Sequence, residues 1–149
     1  MGLRERLEED LKRAVRERSQ VRRLVLRSIR SEAHNAEIKL QKPLDEYGIL
    51  GIVSTQVRQH RESISEFRKG NRDDLVQREE EELQILLEYL PPQLTPDEIA
   101  TLVQGIIQEV GARGPGDKGK VMGRLMPQVK GKADGSTVNT VVTQLLEAL

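Results

Sequence analysis

Apolar residues recur every three or four positions along almost the whole chain, and this spacing constrains the fold more than any other feature. The first apolar stripe contains Leu3, Leu7, Leu11 and Val15, and similar stripes continue to Leu146. Such spacing is typical of amphipathic α-helices that bury one face. Aromatic residues make up 2% of the chain, and the alternation expected of β-strands is not sustained anywhere. The sequence therefore predicts an all-α fold.

The N-terminal part, residues 1–90, is predicted to be a four-helix domain. Ser19 is a candidate N-cap for the second helix, and Asp45 is a candidate N-cap for the third. Gly70 stands where the residue that follows the third helix is expected. A fourth apolar stripe ends at Leu90. This part is long enough to form a helical bundle of its own.

A Pro-Pro pair at residues 91–92 separates the two parts of the chain. Neither proline can donate a backbone N–H, so the fourth helix ends before them. A new helix start follows, because Thr95 and Glu98 have the spacing of a capping box and Pro96 suits the first helical position. We therefore predict a domain boundary here and a smaller three-helix domain over residues 91–149.

Basic residues and glycines are concentrated in one segment of the second part. The whole chain has 24 Lys and Arg against 24 Asp and Glu, so any nucleic-acid contact must be a local patch. Residues 113–132 contain six basic residues and one acid, and seven glycines lie from Gly111 to Gly135. Glycines let a ligand approach the backbone, and lysines suit phosphate. A flexible, solvated connection explains the same pattern equally well.

Neither a phosphate-binding P-loop nor a hydrolase active site is complete in this sequence. Gly114, Gly119 and Lys120 match part of a phosphate-binding P-loop, but a helix precedes this loop, and Val121 stands where Ser or Thr would hold magnesium. The chain has no cysteine, and no pattern supplies a nucleophile, a base and an orienting group together. We expect no catalytic residues and no cofactor, and hence no hydrolysis of ATP or glutamine by the isolated chain.

No metal site is predicted either. Four consecutive glutamates at residues 79–82 would point in different directions on a helix, which favours a solvated helix start stabilised by the helix dipole. His60 falls on an apolar stripe and is expected to be half-buried and hydrogen-bonded. His34 is expected at a polar edge.

The expected location is the cytoplasm. No apolar run approaches the ~20 residues of a membrane span, and the first six residues have no apolar signal core. The absence of cysteine suits a reducing compartment. We therefore expect a soluble protein that does not bind membranes.

Two stretches resemble a known family. They are ELQILLEYLPPQLTPDEI, which begins at Glu82, and GKVMGRLMPQVKGKADG, which begins at Gly119. The chain resembles the YqeY family over essentially its whole length. Its second part is also similar to the tail domain of the B subunit of the tRNA-dependent amidotransferase. These resemblances imply an all-helical fold in two parts and, for the tail domain, a module that docks on tRNA.

The first functional hypothesis is a non-catalytic accessory module. It would dock either on tRNA or on an enzyme that processes tRNA or amidates aminoacyl-tRNA. The predicted phosphate contacts are Lys118, Lys120, Arg124, Lys130 and Lys132, with Gly119, Gly123 and Gly131 permitting close approach. Asp134 is expected to cap the last helix. The second part has no aromatic residue for base stacking, which favours recognition of folded RNA by its backbone and shape.

Two alternatives stay open. One is a protein–protein adaptor that docks through its amphipathic N-terminal helices and makes no direct RNA contact. The other is a component of an amidotransferase, a carbon–nitrogen ligase with glutamine as amido donor, which would need partner subunits. The sequence does not specify an oligomeric state.

Overall fold

A computed structural model describes residues 2–149 and contains α-helices and no β-strand within that range. The helices are α1 (Leu3–Arg16), α2 (Gln20–Leu40), α3 (Glu46–Lys69), α4 (Asp73–Leu87), α5 (Pro96–Val110), α6 (Lys118–Val129) and α7 (Gly135–Glu147), with a 3-10 turn at Pro115–Asp117. The prediction of an all-α fold is therefore confirmed. Among the described helices, none is both long and apolar enough to span a membrane.

The chain divides into two compact units, residues 1–90 and residues 91–149, here called the first and the second unit. Each has its own hydrophobic core. Leu86 lies fully buried in the first core, and Leu125 lies fully buried in the second. That each unit folds independently as a domain stays a prediction.

In the first unit, helices pack in neighbouring pairs, with α1 on α2 and α3 on α4. Asp45 caps α3 by accepting a hydrogen bond from the Gly48 amide at 2.8 Å, as its spacing predicts. Ser19 occupies the N-cap of α2, but its side chain makes no capping hydrogen bond. After α3, Asn71 adopts the left-handed conformation with φ +57°, whereas Gly70 has φ −87°. Gly70 therefore follows α3 directly, as predicted, and the left-handed residue comes one position later.

In the second unit, α5 packs against both α6 and α7. The predicted capping box is present, because the Thr95 hydroxyl accepts from the Glu98 amide and the Glu98 carboxylate accepts from the Thr95 amide. Gly111 ends α5 with φ +67°, a left-handed conformation that glycine adopts without strain. The chain entering this unit is anchored by the Leu94 amide, which donates to the Lys132 carbonyl at 2.7 Å.

Candidate functional site

Two of the predicted cations share an exposed face of α6. Lys120 and Arg124 are one helical turn apart, and their side chains are 69% and 63% exposed. Lys118 is the first residue of α6 and is only half-exposed. Two residues correspond to about 200° around a helix, so Lys118 projects away from Lys120. The structure therefore separates Lys118 from the face on which Lys120 and Arg124 lie.

Glycines border that face of α6. Gly119 and Gly123 are also one turn apart, and a Cβ added at either position would meet no atom within 4 Å. Packing therefore does not require glycine at either place. Gly131 differs, because its φ of +77° is a conformation that other residues rarely adopt. Its carbonyl also accepts from the Gln93 side chain at 2.9 Å, which gives Gly131 a role in the fold.

Acidic neighbours partly offset the two cations of α6. Lys120 Nζ lies 3.7 Å from Asp117 Oδ1, and Arg124 Nη1 lies 3.6 Å from Glu109 Oε2. Asp117 Oδ2 accepts a hydrogen bond from the Arg113 amide at 2.9 Å. This bond, together with the Lys120 charge, lowers the pKa of Asp117. Exposed ion pairs of this length contribute little to stability, so a phosphate can compete for the two cations.

The two remaining cations lie between α6 and α7. Lys130 follows the last residue of α6, Lys132 lies two residues further, and both are exposed. Asp134 occupies the N-cap of α7, as expected, but its side chain makes no capping hydrogen bond. The expectation that its carboxylate would occupy the first amides of α7 is therefore wrong. Those amides begin at Gly135, an exposed residue next to the lysines.

In the first unit, polar side chains from three helices meet just after the end of α4. Arg22 Nη1 and Nη2 donate to the two carboxylate oxygens of Glu88 at 2.5 and 3.2 Å, which raises the pKa of Arg22. The Tyr89 hydroxyl donates to Asp10 Oδ2 at 2.6 Å, and the Arg6 guanidinium lies 4.7 Å from the Tyr89 ring centroid. We call these five residues the polar clamp, and its bonds join α1 and α2 to the end of α4.

A second polar cluster joins α3 to α4. His60 is half-buried and hydrogen-bonded to the Gln56 carbonyl, as its place on the apolar stripe predicts. Its other ring nitrogen faces Glu79 and Glu82. The sequence interpretation of residues 79–82 is corrected in two respects, because they lie in the interior of α4 and two of them converge on one point. Glu79 and Glu82 are three residues apart, so the sequence indicates that they share a face of α4. That this face meets His60 follows only from the tertiary fold.

Exposed apolar side chains on the first unit bear on the adaptor alternative. Ile38 and Leu40, at the end of α2, are 62% and 53% exposed, and Tyr47, at the start of α3, is 68% exposed. These residues lie close together in sequence, around the α2–α3 connection. Apolar groups left in water are typical of binding surfaces when they form a continuous patch.

Comparison with known proteins identifies relatives along most of the chain. The model of the YqeY family, described as Yqey-like protein, matches residues 4–146. Three relatives carry the name "Altered inheritance of mitochondria protein 41, mitochondrial". The Lachancea thermotolerans protein is 37% identical over 73% of this chain, and the Pyrenophora tritici-repentis protein is 32% identical over 96%. The Eremothecium gossypii protein is 36% identical over 70%.

The relatives differ in how much of their length is matched. The matched region spans 60% of the Lachancea protein, 58% of the Eremothecium protein and 80% of the Pyrenophora protein. The expectation of a cytoplasmic protein is contradicted by these names, each of which is that of a mitochondrial protein. An apolar core is a feature of secretory signals, whereas mitochondrial targeting segments are amphipathic and arginine-rich, so the test for an apolar core does not bear on a mitochondrial location. The match over residues 4–146, on an all-helical fold, shows that the chain belongs to the YqeY family.

Proposed function

We propose that the second unit is a non-catalytic module that docks on folded RNA of the tRNA type. The contacting side chains would be Lys120, Arg124, Lys130 and Lys132, which we call the cationic surface. Lys118 contributes charge from the other side of α6. In this proposal the chemistry belongs to a partner enzyme that acts on tRNA, and the module supplies binding.

The observation that carries the proposal is the pair Gly119 and Gly123. Glycine in the middle of a helix, as at Gly123, costs roughly 0.5–1 kcal/mol relative to alanine. Gly119 is the second residue of α6, and no neighbouring atom requires glycine at either position. Both glycines border Lys120 and Arg124, so a phosphate backbone can come close to α6 beside two cations. Gly105 in α5 has the same open surroundings, so the support comes from the position of Gly119 and Gly123 beside two cations.

The start of α7 supports the same surface. The amides that begin α7 are not capped by Asp134, and Lys130 and Lys132 lie just before them. Helix amides and lysines are the groups that hold phosphates in a manner independent of base sequence. Since residues 91–149 lack aromatic side chains, base stacking does not contribute.

The test is binding of folded tRNA to the full chain at several salt concentrations. A triple variant, Lys120→Gln with Lys130→Gln and Lys132→Gln, should bind more weakly. It should also flatten the logarithmic salt dependence by up to about three units, since each phosphate contact contributes about 0.9. The matched control replaces three exposed lysines of the first unit, Lys39, Lys42 and Lys69, by glutamine. Identical curves for the two triple variants would contradict the proposal.

The glycine argument has a separate test. Gly123→Ala should raise the free energy of unfolding by about 0.5–1 kcal/mol, Gly119→Ala in the first turn of α6 should raise it less, and both should weaken tRNA binding. Gly105→Ala is the control, because Gly105 lies inside α5 and also has open space around it. It should stabilise the chain and leave binding unchanged. Stabilised variants at 119 and 123 that bind tRNA normally would remove this support.

A protein–protein adaptor is the second candidate function, favoured by the exposed Ile38, Leu40 and Tyr47. If the protein is such an adaptor, altering the cationic surface should not change RNA binding. An amidotransferase component would instead show glutamine- or ATP-dependent turnover only when partner subunits are added. These outcomes distinguish both alternatives from the RNA-docking module.

A further inference from the structure

Three electron-rich atoms converge between α3 and α4. His60 Nε2 lies 3.0 Å from Glu82 Oε2 and 3.6 Å from Glu79 Oε2. All three side chains are largely shielded, with exposures of 19% for His60, 16% for Glu82 and 23% for Glu79. Their ligand atoms lie within 4.8 Å of one another.

Both ring nitrogens of His60 face acceptors, since Nε2 is also within hydrogen-bond distance of Glu82 Oε2. His60 Nδ1 lies 2.8 Å from the Gln56 carbonyl oxygen. A carbonyl can only accept, so Nδ1 carries the hydrogen, and Nε2 of the neutral ring is an acceptor. An acceptor directed at two carboxylates is repulsive unless a positive ion lies among them. That ion is either a proton on Nε2 or a metal ion.

We propose that His60, Glu79 and Glu82 bind a divalent transition-metal ion of the zinc class. Ligands about 2.0–2.1 Å from a tetrahedral zinc lie about 3.3 Å apart, and the two observed separations from Nε2 bracket that value. A proton on Nε2 would satisfy Glu82 but would leave Glu79 too distant for a good hydrogen bond. A metal ion serves all three atoms.

The groups around His60 and Glu82 are of the kind found around metal ligands. A histidine that binds metal through Nε2 commonly donates its other N–H to a carbonyl or carboxylate, as His60 does to Gln56. Arg78 Nε lies 3.9 Å from Glu82 Oε1, so this cation engages the carboxylate oxygen that does not face His60. One nitrogen with two oxygens suits zinc, cobalt or nickel, whereas magnesium and calcium prefer oxygen alone.

The geometry also defines what the ion does. Three protein ligands leave a fourth position for water or for a group from another molecule. Because His60 belongs to α3 and both glutamates belong to α4, the ion links the two helices. Binding should therefore stabilise the first unit against unfolding, since the unfolded chain does not hold the three ligands together.

The test uses the full chain without an affinity tag, titrated with cobalt chloride and then with zinc chloride. We expect one ion per chain, visible cobalt absorption of the intensity typical of tetrahedral sites, and displacement of cobalt by zinc. His60→Gln, Glu79→Gln and Glu82→Gln should each weaken zinc binding by at least about tenfold, since even a partner outside the ligand set costs that much. Zinc should raise the melting temperature of the wild type and not that of these variants.

Matched controls separate the site from general acidity of the surface. His34→Gln and Glu81→Gln change the same residue types at exposed positions and should bind zinc as the wild type does. Circular dichroism checks that each variant is folded. If His60→Gln does not fold, the isosteric Glu82→Gln still tests the site. The proposal is overturned if cobalt shows no tetrahedral absorption. It is equally overturned if the ligand variants bind like the controls, or if magnesium binds as tightly as zinc.

Discussion

The two units hold their helices together in different ways. In the first unit, the polar clamp joins side chains that are far apart in sequence, such as Tyr89 with Asp10 and Arg22 with Glu88. In the second unit, the buried residues are aliphatic, and distant segments are tied by Gln93 and by the Leu94 amide. Polar pairs require particular partners, whereas aliphatic packing depends on burial and shape. The charged side chains of both units stay out of the cores, and the ion pair between helices of the second unit, Arg124 with Glu109, lies fully on the surface.

The largest expected effect comes from removing core volume in each unit separately. Leu86→Ala and Leu125→Ala each truncate a fully buried leucine and should lower the free energy of unfolding by about 2–5 kcal/mol. Because the two cores are distinct clusters, each substitution should reduce protection of backbone amides mainly in its own unit. Hydrogen exchange resolved along the chain measures this. Equal loss of protection in both units after either substitution would mean that they unfold as one.

Helix content and most helix boundaries could be predicted because they depend on local chemistry. Apolar spacing, the Thr95–Glu98 box, the Asp45 cap and the stop at Gly111 act within one or two turns, and the structure contains all of them. Side-chain capping bonds depend on finer geometry. Ser19 and Asp134 occupy the predicted N-cap positions, but neither side chain makes a capping hydrogen bond.

The candidate sites were harder to predict because they require tertiary contacts. The shared face of Lys120 and Arg124 follows from helix spacing, but the ion pair of Arg124 with Glu109 joins two helices. The convergence of His60 with two glutamates similarly needs the packing of α3 on α4, which apolar spacing does not determine. Sequence reasoning considered the glutamates only within their own helix, and so it missed the cluster.

The next effect concerns how each unit ends its helices. The first unit places non-glycine residues, such as Gln41 after α2, in the left-handed conformation, whereas the second unit uses Gly111 and Gly131. Gly111→Ala should lower the free energy of unfolding by about 1–2 kcal/mol, because a Cβ is strained there. Gln41→Gly should raise it by up to about 1 kcal/mol, since the strain relieved exceeds the added freedom of the unfolded chain. Chemical denaturation measures both, and the same sign for the two would refute the strain argument.

A smaller effect contrasts two N-caps, one in each unit. Thr95 accepts a hydrogen bond from the Glu98 amide, whereas the Ser19 side chain makes no capping bond. Thr95→Ala should therefore cost about 1 kcal/mol of stability, and Ser19→Ala should cost much less. Thermal denaturation of the two variants is sufficient for the comparison. A loss for Ser19→Ala as large as that for Thr95→Ala would show that the Ser19 cap forms in solution.

The last comparison tests the polar clamp through its dependence on pH. Burial, and secondarily the hydrogen bond to Asp10, raises the pKa of Tyr89 from 10.0 to about 12. In the folded chain Tyr89 stays protonated after the unfolded chain has begun to ionise. Its contribution to stability is therefore complete below pH 10 and is lost as the pH rises towards about 12.

Tyr89→Phe removes the hydroxyl that donates to Asp10 and should cost about 0.5–1.5 kcal/mol at neutral pH. The difference in unfolding free energy between wild type and variant should then narrow as the pH is raised above 10, because the variant has no hydroxyl to ionise. Tyr47→Phe is the matched control, since it retains Tyr89 and should keep the wild-type decline. The measurement is urea denaturation at a series of alkaline pH values. Parallel curves for wild type and Tyr89→Phe would show that the hydroxyl of the polar clamp is as free to ionise in the folded chain as in the unfolded one.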